Sequence, residues 1–456
     1  MNEQFSPKDL INALLLSFKI SYYDFREIKG ATVTLYKFRP QIGVRVAKIR
    51  NLKDELASAL GVPSVRIIAP MEDGCVGIEV PNKEKEVVKS SDIFNSWIYR
   101  NTGAELPLAI GKTVDNEVFL ADLAEMPHLL VAGATGQGKS VGLNVMLMSL
   151  LKKKSPDELR LILIDPKQVE FSPYSRLEKS YLAHPIITEA EEAQTILDKL
   201  CVLMDERYTL LSSAGVRNIQ EYNSYVSKSG SVCGDSIAAK KLPYIVTVID
   251  EYGDLIMTSG RDMERAICRI AQKARAVGIH LIISTQRPDT KIVTGSIKAN
   301  FPTRIAFRTT TGIDSRVVLD QMGAERLSGR GDMIFFNGNG TLRMQCAYAS
   351  ISDVLSTCDD VSCKYNQVQP FALPLSEAEK AQIMRDEFLR KYEEEKRQRE
   401  LAKKEAERRV EEWKKERDNN KENIEMRRIQ MFRHFYGSNT NYMTLYIPHQ
   451  SKIRKN

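Results

Sequence analysis

The sequence lacks any long hydrophobic run, any paired cysteine motif and any strong excess of one charge. No stretch approaches the roughly 18 consecutive apolar residues of a membrane span; its best runs, such as Leu161–Ile164 and Leu281–Ile283, are strand-length. The start, Met1-Asn-Glu-Gln-Phe-Ser-Pro7, carries neither a basic segment nor an apolar core, so no secretory leader is expected. The 7 cysteines (Cys75, Cys201, Cys233, Cys268, Cys346, Cys358 and Cys363) form no CxxC pair. An odd count at irregular spacing supports neither a zinc site nor a disulfide framework. Lys and Arg number 66 against 59 Asp and Glu, a formal net charge of +7, which permits a nucleic-acid partner without demanding one. These absences describe a soluble, cytoplasmic protein with no membrane segment. Hydrophobic residues at 43% and charged residues at 27% exclude wholesale disorder. A length of 456 residues suggests about three structural units, at roughly 150 residues each.

Residues 1–105 read as a small α+β unit with one pattern used twice. Ser6-Pro7 starts a helix that carries Leu10, Leu14 and Phe18 on one face. Strand-like runs follow at Ala31–Phe38 and Val44–Ile49; Asn51 then caps a second helix through Leu60, and further runs occupy Val65–Ile68 and Cys75–Val80. Residues 106–372 change character: apolar runs at His128–Ala132, Leu159–Ile164, Tyr244–Ile249, Ile279–Ser284, Arg304–Phe307 and Asp332–Phe336 alternate with helical patterns at Ser140–Leu151, Glu189–Leu211 and Met263–Val277. Buried strands alternating with helices imply a mostly parallel sheet covered on both faces. Ser227–Lys241 reads as a surface loop. Residues 373–430 are charged all round, with pairs such as Glu400/Lys404, and Leu389, Tyr392, Leu401, Val410 and Trp413 are too sparse for a heptad seam. This predicts one long solvated helix, either a spacer or a device for binding a protein partner. Residues 431–456 form an aromatic and basic terminal segment that includes Phe432, Phe435, Tyr436, Tyr442, Tyr446 and Lys452.

Three short segments carry chemistry. Gly133, Ala134, Thr135, Gly136, Gln137, Gly138, Lys139 and Ser140 fit the pattern GxxxxGK[ST], between an apolar strand and a helix. Glycines there let backbone N–H groups wrap a phosphate at a helix N-terminus. Lys139 supplies a point charge for the β- and γ-phosphates of ATP, and the Ser140 hydroxyl a ligand for Mg²⁺. Tyr244–Ile249 delivers Asp250 at its end, where a carboxylate can hold the magnesium shell, and Glu251, which can polarise an attacking water. An adjacent Asp-Glu favours a hydrolase over a kinase. Ile279–Thr285 ends in Gln286, a polar amide that can report γ-phosphate occupancy to neighbouring loops.

With these in place, residues 1–350 resemble the FtsK/SpoIIIE DNA translocases. The resemblance is carried by Ile49–Leu52, Val76–Asn82, the phosphate loop, Leu163–Lys167, Gly215–Asn218, Asp250-Glu251, Ala271–Arg275, Ser284–Pro288, Ile297–Asn300, Pro302–Phe307 and Asp314–Arg316. It implies a small α domain over 1–105 beside a RecA-like motor domain, assembled as a hexameric ring of identical subunits around double-stranded DNA. Arg275 matches the arginine that family members insert into a neighbour's ATP site, and Arg287, Lys298 and Arg316 match positions on pore loops that meet the DNA backbone. One family pore lysine falls on Gly312. The family's membrane-spanning N-terminal part and winged-helix C-terminal domain are not represented, and the charged tail follows the motor instead. The expectation is an α/β, RecA-like P-loop ATPase core with a small N-terminal α+β domain and a long charged C-terminal helix, an ATP- and Mg²⁺-dependent motor on duplex DNA. The alternatives are a related ring ATPase that serves conjugative transfer or protein export, and a nucleotide-dependent scaffold that does not hydrolyse.

Overall fold

The computed structural model describes residues 6–71, 73–229, 240–366 and 368–436. Cys233, most of the Ser227–Lys241 loop and the terminal residues beyond Tyr436 lie outside them. Among the described residues the chain builds two sheets and, beyond Glu377, a separate helical unit.

The small sheet contains β1 (Tyr22–Lys29), β2 (Val33–Pro40), β3 (Arg66–Ile68) and β4 (Val76–Pro81), all antiparallel in the order β1-β2-β4-β3. Its first helix, Pro7–Ser17, starts as expected: Ser6 and Asp9 form a reciprocal capping box, and Pro7 occupies the first turn. That helix buries Ile11 and Leu15 against Phe38, Ile49, Leu56 and Ile78. Two expectations fail here. Val44–Ile49 is not a strand but enters a short helix, Val46–Arg50, because Val46 and Ile49 stand at i, i+3 and turn one face to the core. Asn51 is the C-terminal cap of that helix, and the next one starts at Lys53. The strand β1 lies in a stretch with no alternating apolar pattern; as an edge strand it pairs on one side only and leaves Asp24 and Arg26 to pair with each other in solvent.

The large sheet is formed by β5 (Pro107–Thr113), β6 (Val118–Asp122), β7 (His128–Ala132), β8 (Leu159–Ile164), β9 (Tyr244–Ile249), β10 (Ile279–Thr285), β11 (Thr303–Phe307), β12 (Asp332–Phe336) and β13 (Thr341–Cys346), in the order β6-β5-β13-β12-β11-β7-β10-β9-β8. From β11 to β8 the five strands are parallel, and the four on the other side are antiparallel. The sheet is therefore parallel in one half, not in most of its width. Its parallel strands are buried end to end, and successive residues point into opposite cores. Leu129 and Val131 face one and Leu130 and Ala132 the other; Val246 and Val248 face the first, Ile245 and Ile249 the second. Period-two alternation between two apolar layers is what a sheet covered on both faces requires.

The expected helix Met263–Val277 begins earlier, at Tyr252, kinks at Gly260 (φ 63°) and ends at Lys273. Arg275 consequently lies on the turn that leads into β10, where its carbonyl accepts from the Gly278 N–H. The charged segment forms one helix, Glu377–Tyr436, of 60 residues and about 90 Å, with its side chains exposed from 381 to 431.

The small sheet is tied to the large one through a buried ion cluster. Arg343 on β13 reaches Glu79 on β4 at 2.9 Å and Asp332 on β12 at 2.6 Å, and all three side chains are under 5% exposed. Burial alone would push the Arg343 guanidinium towards losing its proton, and the two carboxylates more than reverse that, so it stays charged. Removing one member of such a cluster strands the others. Arg343→Ala should lower unfolding free energy by about 3–5 kcal/mol, read by chemical denaturation; a loss under about 1 kcal/mol would make the cluster no more than a surface pair.

Candidate nucleotide site

The parallel half of the sheet brings four strand ends to one edge. At the end of β7 the chain turns through Gly133–Gly138 into the helix Lys139–Lys153. Backbone contacts hold this loop: the Gly133 N–H donates to the Thr285 carbonyl (3.2 Å), the Ala134 N–H to Arg308 (2.9 Å), and the Gly331 N–H to the Gln137 carbonyl (2.9 Å). Gly138 has φ 110°, and a Cβ there would come within 2.8 Å of the Gly331 nitrogen. Gly136 also has positive φ (74°) but faces open space.

Lys139 is buried, with 3% of its side chain exposed, and its Nζ lies 2.7 Å from Asp250 Oδ1 and 3.0 Å from Ser284 Oγ. Ser284 Oγ donates in turn to the same Asp250 oxygen at 2.7 Å. One oxygen of Asp250 thus serves both, while Oδ2 is buried with no hydrogen-bond partner. A buried carboxylate oxygen with no donor from the protein is suited to a hard cation. The Ser140 hydroxyl, the other expected magnesium ligand, donates to Glu170 Oε1 at 2.5 Å.

Glu251 follows Asp250 with a left-handed backbone (φ 50°, ψ 60°) that a residue with a side chain adopts at a cost of roughly 1 kcal/mol or more. The turn sends its carboxylate back over β10, where it accepts from Thr285 Oγ1 (2.9 Å) and from the Gln286 N–H (3.1 Å). Lys167 Nζ approaches Oε2, the oxygen that accepts from the Gln286 N–H, at 3.5 Å and also Asp254 at 3.4 Å. Partial burial pulls the Lys167 pKa down, but the two carboxylates outweigh it and raise it, so the ammonium is held charged. The Gln286 side chain accepts from Thr135 Oγ1 at 2.7 Å, which joins the phosphate loop to the end of β10.

The structure therefore gathers Lys139, Ser140, Asp250, Glu251 and Gln286 at one edge. Ser284, Thr285, Lys167 and Glu170 join them, and sequence reasoning gave these four no role. The first two lie in the Ser284–Pro288 stretch and Lys167 in the Leu163–Lys167 stretch already singled out, and a hydroxyl pair at a buried strand end was the available signal for the former. Arg275 is not there: it precedes β10, whose seven residues span about 20 Å to the site. Among the proposed DNA contacts, Arg287 and Arg316 are exposed and have no ion-pair partner among the described residues. Lys298 is paired with Asp320 at 2.6 Å, and Asp320 also holds Arg304.

The FtsK/SpoIIIE family model matches residues 91–290, and the FtsK alpha domain model matches 2–82. The chain is 43% identical to DNA translocase FtsK of Campylobacter jejuni over 79% of its length and 37% of that relative's. It is likewise 43% identical to DNA translocase SpoIIIE of Bacillus subtilis, over 73% of the chain and 42% of the relative. It thus spans about two fifths of the length of these curated relatives. Among solved structures it is similar to the pCW3 conjugation coupling protein TcpA with ATPγS, at TM-score 0.54 and 26% identity, over 76% of this chain and 93% of that one. No described helix is long and apolar enough to cross a membrane.

The two glycines give a test of the loop geometry. Gly136→Ala should cost about 1 kcal/mol of stability, the left-handed penalty alone. Gly138→Ala should cost more, because its methyl group meets backbone. Thermal denaturation of both variants checks this, and equal losses would contradict the contact with Gly331.

Proposed function

Because the chain belongs to the FtsK/SpoIIIE family, we propose that it is an ATP-hydrolysing motor that moves double-stranded DNA through a ring of identical subunits, most simply a hexamer in the cytoplasm. In this reading 1–105 is the α domain, 106–372 the motor, 373–430 a charged helical tail and 431–456 a terminal segment. The observation that carries it is the buried triangle of Lys139, Asp250 and Ser284 with Glu251 beside it. Such a set, next to a glycine-rich loop opening a helix, is suited to hydrolysing a nucleoside triphosphate.

The loop from Gly133 to Gly138 offers backbone N–H groups to the phosphates of ATP, and Lys139 neutralises charge on the β- and γ-phosphates. Ser140 and Asp250 are the residues that would hold Mg²⁺, and the unpartnered Asp250 Oδ2 fits that role. Magnesium supplies electrostatic stabilisation of the transferring phosphoryl group. Glu251 orients a water and takes its proton; Thr285 and the Gln286 N–H keep the carboxylate aimed, and the Lys167 ammonium stands beside it. Gln286, joined to Thr135, couples phosphate occupancy to the Arg287 segment that follows. Arg275 stands too far from its own chain's site to serve it, so it acts on a neighbour's, where a trans arginine makes hydrolysis depend on assembly.

Arg287, Lys298 and Arg316 contact the DNA backbone in this reading. Phosphate contacts confer affinity without sequence information, which suits movement along any duplex. Lys298 must leave Asp320 to take part and so contributes less than the two unpaired arginines. A second reading, a ring ATPase for conjugative transfer, is favoured by the likeness to TcpA; protein export remains the other outcome.

The test is ATPase rate against duplex DNA at several salt concentrations. The wild-type chain should be stimulated by DNA. Arg287→Ala, Lys298→Ala and Arg316→Ala combined should abolish stimulation while basal hydrolysis survives, and deletion of 376–456 should leave stimulation largely intact. Full stimulation of the triple variant, with its loss on deletion of the tail, would move the DNA contact to the tail.

A further inference from the structure

Ser140 and the loop after β8 carry a feature that the reading above does not use. A hydroxyl that ligates a cation offers an oxygen lone pair, so its proton must be directed elsewhere. Here the hydroxyl donates to Glu170, at 2.5 Å, a distance typical of a charge-assisted hydrogen bond to a carboxylate. Asp250 does not accept it: its Oδ1 takes Lys139 and Ser284, and its Oδ2 receives no hydrogen bond.

Glu170 does not reach Ser140 as a loose surface side chain. Its loop is wound around Asp165, a fully buried residue at the end of β8. One Asp165 carboxylate oxygen accepts the backbone N–H groups of Glu170 (2.9 Å) and Phe171 (3.0 Å), and the other accepts that of Lys167 (3.2 Å). Phe171 is fully buried and meets Tyr174 edge-on, and the Tyr174 hydroxyl donates to Asn144, on the same helix that Lys139 and Ser140 begin. The loop and the phosphate-loop helix are thus locked together at two points, with Ser140–Glu170 as one of them. Lys167, three residues before, faces Glu251 from the same loop.

We propose that Glu170 is a positioning residue of the metal site: it accepts the Ser140 hydrogen bond and so turns the Ser140 lone pair towards Mg²⁺. The inference rests on the nucleotide reading above. A partner that orients a metal ligand in this way typically contributes 10–100-fold to metal affinity. Glu170 adds negative charge at the metal end of the site but does not touch the phosphates, which the backbone of 133–138 binds.

The experiment is binding of a fluorescent non-hydrolysable ATP analogue to the full chain, titrated with Mg²⁺ and repeated in EDTA. Glu170→Gln keeps the size and an acceptor oxygen but loses the charge. Its Mg²⁺ midpoint should rise about tenfold while its affinity in EDTA stays at the wild-type value, and Glu170→Asp should recover part of the shift. An unchanged midpoint in Glu170→Gln would overturn the proposal. So would equal weakening with and without Mg²⁺, which would make Glu170 a support of the loop alone. A wild-type chain whose nucleotide binding ignores Mg²⁺ would instead overturn the nucleotide–metal reading on which the proposal stands.

Discussion

A buried lysine must have its counter-charge, and the pairing of Lys139 with Asp250 fixes much of the rest of the site. Neither side chain is more than 3% exposed, so separating them would leave an unpaired charge in the protein interior. The pair is made between the first residue of the helix that follows β7 and the end of β9, and β10 lies between those strands in the sheet. Ser284, near the end of β10, is therefore the residue that can reach both, and it does. The next residue, Thr285, then falls beside Glu251, and β8 on the far side of β9 brings the Asp165 loop with Lys167 and Glu170. Parallel register carries every one of these groups to the same edge. A reversal of any one strand would move its residues to the far side of the sheet.

The same geometry explains why one chain does not complete the proposed machinery. Arg275 stands before β10 and the acidic and amide groups stand after it, on opposite edges of one sheet. In the proposed ring of identical subunits, a neighbour's Arg275 would supply what each chain cannot bring to its own site. The small antiparallel sheet is joined to the large one by buried charges, Arg343 with Glu79 and Asp332.

Much of this was legible in the sequence, for identifiable reasons. Strands buried on both faces are apolar throughout, and β7, β8, β9 and β12 stand where the runs place them. The phosphate loop is local in sequence, so its glycines, lysine and serine declare themselves. What stayed hidden depends on contacts distant in sequence. The edge strand β1 carries no apolar alternation, and β5, β6 and β13 belong to the antiparallel half, whose pairing no local pattern reveals. Glu170 looks like an ordinary loop charge until β8 is placed beside β9, and Lys167, though it ends the Leu163–Lys167 stretch, shows no partner before then. Lys298 looked like a free cation because Asp320, its partner, lies 22 residues away.

The central claim is that hydrolysis needs two subunits, one giving Glu251 and the other Arg275. It is tested most directly by mixing two variants, Glu251→Gln and Arg275→Ala, each assembled and each inactive alone, and measuring ATPase rate with duplex DNA present. Mixed rings contain sites in which an intact Glu251 faces a neighbour's intact Arg275, so activity should return on mixing. An Arg275→Ala protein that assembles normally and hydrolyses ATP at the wild-type rate would contradict the account, as would mixed rings that stay silent.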